Sequence, residues 1–176
     1  MNLLKQFVLI FALTISMSVF AETRDPSSHF FHQSLGDLTE ELEIAREEGK
    51  KGVLVMFEAS DCPFCARMKK TILNQADVQD FFREHFQILT MDIEGDVEIT
   101  DFKGDTVSMK SFSYDQFRVR ATPVFAVFDL DGNMIKRTRY TGAMTGKQEF
   151  MQYGEYAQAG IYKQMSFTRY KRSLKD

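Results

Sequence analysis

The stretch that most constrains this chain is Gly52-Val-Leu-Val-Met-Phe57, followed by Glu58-Ala-Ser-Asp-Cys62-Pro-Phe-Cys65. An uncharged apolar run of this length reads as a buried strand. From Cys65 onward, apolar residues recur at 65, 68 and 72, the spacing of one helix face. The order is therefore strand, short turn, then a helix that opens on two thiols. A helix N-terminus offers unpaired N–H groups and the positive end of its dipole, so the Cys62 thiol is expected to ionise more readily than a free cysteine. Pro63 falls at the first helical position, where a missing N–H costs nothing. Cys65 lies about one turn further on, within reach of a mixed disulfide formed on Cys62. The local design is a dithiol–disulfide couple.

These are the only two cysteines in the chain, and the compartment bears on how they read. Met1-Asn-Leu-Leu-Lys5 carries one positive charge, Phe7 to Val19 is almost wholly apolar, and Val19-Phe-Ala21 ends on a small residue. That is the pattern of a secretory signal peptide over residues 1–21, cleaved after Ala21. An uncleaved anchor is the alternative, but the apolar run is shorter than the ~20 residues of a spanning helix. No cysteine stands at the cleavage point, which argues against a lipoprotein. Export would place the pair in an oxidising space, where it could be a structural staple. A disulfide across two intervening residues closes a very small loop, however, and restrains little of the unfolded chain. A reactive pair explains the spacing better.

Residues 22–36 form a polar lead-in containing Pro26, His29 and His32. The two histidines lack acidic or thiol partners nearby to complete a metal set, and read as surface or partly packed side chains. Asp37-Leu-Thr-Glu40 has capping-box spacing, and Leu38, Leu42 and Ala45 share one face. That predicts an amphipathic helix closing at Gly49, with Glu40, Glu41, Glu43, Glu47 and Glu48 on its solvated side. Asn74-Gln75 interrupts the thiol helix, residues 76–86 continue it or start another, and Phe86–Met91 is a second strand. Strand, helical crossover and strand make a parallel unit.

Asp92–Ser108 is acidic and predicts a small hairpin; its acids at 92, 94, 96 and 98 do not match a calcium loop in glycine position or distal glutamate. Ser111–Val119 reads as a short helix, and Val124–Phe128 as a strand entered through Thr122-Pro123. Asp131-Gly132 turns into an antiparallel strand over 133–140. Phe150, Tyr153, Ala157 and Ile161 mark the buried stripe of a last helix. Residues 163–176 form an aromatic and basic C-terminal extension without a period, and Arg169-Tyr-Lys-Arg172 reads as a solvated tail.

A Cys-x-x-Cys behind a buried strand, a Thr-Pro at the entry of a later strand and this order of elements together resemble the thioredoxin family. The similarity is greatest to exported bacterial members, such as those found with sulfur-oxidation systems and the C-terminal domain of transmembrane thiol reductases. It spans residues 37–162. It implies an α/β thioredoxin fold: a central mixed sheet flanked by helices, with a small acidic hairpin inserted before the cis-Pro helix. It also implies that Cys62 is the exposed nucleophile, Cys65 the resolving thiol and Pro123 a cis-proline facing them. Thr122, Pro123, Pro63 and Phe64 would contact substrate, with the Thr122 backbone free to pair with an extended segment.

Two positions depart from the family pattern. The buried aspartate expected six residues before the first cysteine is Met56, and the tryptophan that often precedes that cysteine is Asp61. Glu58 lies on the same pleat face as Met56 and has two readings, a substitute proton relay or an exposed strand-end acid. A carboxylate at Asp61 opposes thiolate formation on Cys62.

The implied activity is that of a periplasmic thiol–disulfide oxidoreductase that reduces protein disulfides and is itself reduced by a membrane electron donor. Neither metal nor organic cofactor is required. A disulfide-donating oxidase is the alternative, although such enzymes insert a helical domain where this chain has only Asp92–Ser108. A third reading is copper or zinc handling, since thiolates suit Cu(I) and Zn. A formal net charge of −3 gives no argument for nucleic-acid binding. The mature chain is expected to be a monomer.

Overall fold

The computed structural model describes residues 22–175, so the signal-peptide reading of residues 1–21 lies outside it. The polar lead-in is docked on the domain. Arg24 N–H donates to Asn74 O at 2.7 Å, and Ala76 N–H donates to Glu22 O at 2.9 Å. A short helix, α1 (Pro26–His29), starts on the Asp25 carboxylate, and Phe30 and Phe31 behind it are buried. Helix α2 (Leu38–Glu47) starts on Asp37, whose carboxylate accepts the N–H groups of Thr39 and Glu40. It ends before Gly49, which adopts φ +67°.

Strand β1 (Val53–Glu58), helices α3 (Pro63–Thr71) and α4 (Ala76–His85), and strand β2 (Gln87–Asp92) follow, and β1 pairs with β2 in parallel. The chain thus starts a new helix after Asn74-Gln75. Strands β3 (Glu98–Thr100) and β4 (Thr106–Ser108) form the expected antiparallel hairpin. Buried Asp101 fixes its tip by accepting the N–H groups of Lys103 and Asp105 and the side-chain amide of Gln116. One helical turn, α5 (Met109–Ser111), runs into a π-helical turn over Phe112–Gln116.

Strands β5 (Val124–Phe128) and β6 (Tyr140–Thr141) complete a sheet of order β2-β1-β5-β6, with β5 antiparallel to β1. Helices α6 (Lys147–Gln158) and α7 (Phe167–Ser173) close the chain.

Residues Val53–Phe57 are wholly buried because helices cover both faces of the sheet. Alternation splits the strand between two cores. Leu54 and Met56 pack with Cys62, Cys65, Met68, Phe82, Phe125 and Phe150. Val53, Val55 and Phe57 pack with Leu42, Phe112 and Phe128 on the other face. Glu58, next in the alternation after Met56, lies on the thiol side.

Three expectations need correction. Glu41 is not on the solvated side of α2: it is 3% exposed and accepts a hydrogen bond from the Gln87 side-chain amide. Residues 133–140 are not one continuous strand. A 3₁₀ turn at Lys136–Thr138 interrupts them, and the Thr138 hydroxyl takes over a ladder bond by accepting the Val127 N–H at 2.9 Å. Arg169-Tyr-Lys-Arg172 is not a solvated tail but part of α7. Phe167 of that helix packs its ring 5.6 Å from Tyr153 and 5.4 Å from Tyr156, and Lys171 pairs with Glu149 of α6.

Candidate active site

β1 ends at Glu58, and four residues later Cys62 caps α3. Its Sγ accepts the Cys65 N–H at 3.1 Å, so sulfur stands where an N-cap oxygen usually does. Pro63 occupies the first helical position as expected. Cys62 and Cys65 are joined by a disulfide with their Cα atoms 5.3 Å apart. Cys62 is 8% exposed and Cys65 2%, so the first sulfur is the more accessible, though less open than the resemblance implies. Between them Phe64 is 56% exposed, with the Arg67 guanidinium 5.6 Å from its ring centre. An apolar ring held out beside a disulfide suits contact with another polypeptide.

The Thr122–Pro123 peptide is cis. Val124 pairs with Phe57, so Pro123 stands level with Glu58, at the end of the sheet from which the cysteine loop departs. Pro123 is buried and its carbonyl accepts the Gly142 N–H at 2.8 Å. Thr122 is half-buried, and among the described residues none makes a backbone hydrogen bond with its N–H or C=O.

A cavity of about 250 Å³ lies against the disulfide, and Glu58, Cys62, Cys65, Lys69 and Asp92 help to line it. Glu58 is therefore not a freely exposed strand-end acid: its side chain is 17% exposed. Lys69 Nζ lies 2.6 Å from Oε2 and 2.8 Å from Oε1, and the Thr90 hydroxyl donates to Oε1. Met56, in the position of the family's aspartate, is buried among apolar side chains. Lys69 and Thr90 escaped the sequence reading. Lys69 carries a signal in retrospect, since it follows Cys65 by four residues on a helix. Thr90 does not, because only the β1–β2 register brings it beside Glu58.

A larger hollow of about 350 Å³ runs along the outer edge of β2 and shares Lys69, but neither cysteine lines it. His29 bonds within its own turn, and His32 accepts the Ile88 N–H, so neither joins the thiols. Among the described residues there is no group of three His, Cys, Asp or Glu side chains that could hold a metal. Among them, too, no helix is long and apolar enough to cross a membrane.

Residues 38–158 match the model of the thioredoxin-like domain. The chain belongs to the thioredoxin-like family. The solved structures agree on the fold. A thioredoxin-fold protein from Helicobacter pylori is 23% identical, with 72% of this chain and 81% of that one covered at a TM-score of 0.56. The oxidoreductase DsbH is 18% identical, with 78% and 90% covered at a TM-score of 0.56. No curated protein matches the sequence. In a thioredoxin-like domain with a Cys62–Cys65 disulfide capping the helix after β1, the chemistry is thiol–disulfide exchange. The protein is a thiol–disulfide oxidoreductase.

Proposed function

We propose that this thioredoxin-like protein reduces protein disulfides in the periplasm. The observation that carries the reading is the Cys62–Cys65 disulfide at the N-terminus of α3, with the more accessible sulfur on Cys62. In the reduced protein the Cys62 thiolate attacks one sulfur of a substrate disulfide. That S–S bond breaks, a mixed disulfide forms, and the departing substrate sulfur takes up a proton. Cys65 then loses its proton and attacks the Cys62 sulfur. The substrate leaves with two thiols and the protein keeps the disulfide, two electrons having passed to the substrate. Glu58, lining the same cavity, is the acceptor for the Cys65 proton in this reading. Thr122, whose main chain has no hydrogen-bond partner among the described residues, offers it to an extended substrate segment, while Pro123, Pro63 and Phe64 contact that segment's side chains.

The signal-like pattern of residues 1–21 supports export, and a membrane electron donor would restore the dithiol. The reducing direction is favoured because the segment between β2 and the cis-proline holds only a hairpin and a short helical stretch, with no inserted helical domain. Titration of the couple against glutathione or dithiothreitol buffers tests the direction. A reduction potential of about −270 mV is expected, and one of about −120 mV would make the protein an oxidant and overturn the reading.

A further inference from the structure

The cavity beside the disulfide holds negative charge that opposes thiol ionisation. Glu58 at the end of β1 and Asp92 at the end of β2 line it with both cysteines, and Asp61 precedes Cys62 on the exposed turn. A carboxylate near a sulfur disfavours the thiolate. Among the residues lining the cavity the one cation is Lys69.

Three elements hold that cation in place. It projects from α3 one turn beyond Cys65, its ammonium meets both oxygens of Glu58, and the ring centre of Phe31 lies 5.5 Å from Nζ. Thr90 fixes the carboxylate from the β2 side. The Lys69 and Glu58 side chains are 34% and 17% exposed, so water screens this pair less than a pair on the open surface.

We propose that Lys69 is a positioning residue of the dithiol couple: it fixes Glu58 beside the cysteines, cancels its charge there, and so sets how readily the thiols ionise. The inference rests on the exchange chemistry proposed above. Removing the ammonium leaves carboxylates as the only charged side chains lining the cavity, and the Cys62 thiolate is disfavoured. Removing the Glu58 carboxylate leaves an unopposed cation, and the thiolate is favoured. The thiolate belongs to the reduced form, so stabilising it favours reduced protein and destabilising it favours the disulfide.

The test compares the purified wild type with Lys69→Met, Lys69→Arg, Glu58→Gln and the Lys69→Met/Glu58→Gln double variant. Ultraviolet thiolate absorbance of the reduced proteins against pH gives the Cys62 ionisation constant, and equilibration with glutathione gives the redox balance. Lys69→Met should lower the ionisation constant about tenfold, one unit of pKa, and move the glutathione equilibrium towards disulfide. Glu58→Gln should move both readings the opposite way. The double variant should return to within about threefold of wild type, and Lys69→Arg should match wild type.

A purely structural lysine would lower the unfolding midpoint of Lys69→Met and leave the ionisation constant where it was. Unchanged ionisation in folded Lys69→Met overturns the proposal, as does a shift of the same sign in Glu58→Gln. If Lys69→Met does not fold, Glu58→Gln alone decides by the sign of its shift. Wild-type protein that fails to exchange with glutathione would sink the reductase reading instead, while the thiol titrations would still judge Lys69.

Discussion

His32 and Ile88 bond to each other twice: the His32 N–H donates to the Ile88 carbonyl at 2.8 Å, and the His32 ring Nδ1 accepts the Ile88 N–H at 2.9 Å. This pairing docks the lead-in onto the outer edge of β2, and places Phe31 beneath Lys69. A proton on Nδ1 would displace the Ile88 N–H. Burial, and after it the charge of Arg83, leaves the ring pKa pushed down to about 4. The folded value lies below the ordinary 6.5, so the stability it confers is complete above about pH 6.5 and is lost as pH falls towards 4. Allowing for solvent screening of a partly exposed ring, we predict a loss of about 1–2 kcal/mol over that window. Urea unfolding of wild type and His32→Asn at pH 7 and pH 4.5 checks it. The variant should show less of the acid loss, and equal losses in the two proteins would refute the assignment.

The unequal accessibility of the two sulfurs predicts unequal roles. On the proposed mechanism, Cys62→Ser should reduce disulfide exchange to background, because it removes the sulfur assigned the attack. Cys65→Ser should still attack substrate but cannot release it, so mixed disulfides should accumulate. Extracts incubated with each variant and resolved without reductant report this directly. Adducts on Cys62→Ser with none on Cys65→Ser would reverse the roles.

The thiol centre was legible because its determinants are local. A strand, a turn and a helix cap lie within fourteen consecutive residues, Gly52–Cys65, and Pro63 marks the first helical position. The Thr122–Pro123 signal was equally compact. What escaped depends on which elements meet in space. Glu41 stands in an acidic run, and only the packing of α2 against β2 takes it out of water. Thr138 interrupts a strand pattern because its hydroxyl can replace a backbone carbonyl as acceptor, which no alternation of apolar residues reveals. Lys69 reads as a solvated helix cation until β1 ends beside it.

The C-terminal helix illustrates the same limit and carries its own prediction. α7 is seven residues long, too short to display a period, and its anchor is one residue, Phe167. That ring packs against Tyr140, Tyr153 and Tyr156, while Tyr156 also donates a hydrogen bond to Met165 O at 2.9 Å. Phe167→Ala should destabilise the fold by about 3 kcal/mol, since it empties a site enclosed by aromatic rings. Chemical denaturation of the oxidised protein measures it. A cost below about 1 kcal/mol would mean that α7 contributes little to the core.

Glu41 and Gln87 offer a sharper test of what burial does to a polar pair. The Gln87 amide donates to Glu41 Oε2 at 2.5 Å, but Gln87 Oε1 is buried without a partner among the described residues. Glu41→Gln supplies an amide that can donate to that oxygen while its own carbonyl still accepts from Gln87. The pair would then exchange two hydrogen bonds and remove a buried acid. We predict that this variant is as stable as wild type or more stable, by up to about 1 kcal/mol. Glu41→Leu keeps similar bulk but leaves both ends of the Gln87 amide unpaired, and should cost about 1–3 kcal/mol. Urea unfolding at neutral pH ranks the three proteins. If Glu41→Gln proves as damaging as Glu41→Leu, the carboxylate itself is required, and α2 is held to β2 by its charge rather than by hydrogen-bond pairing.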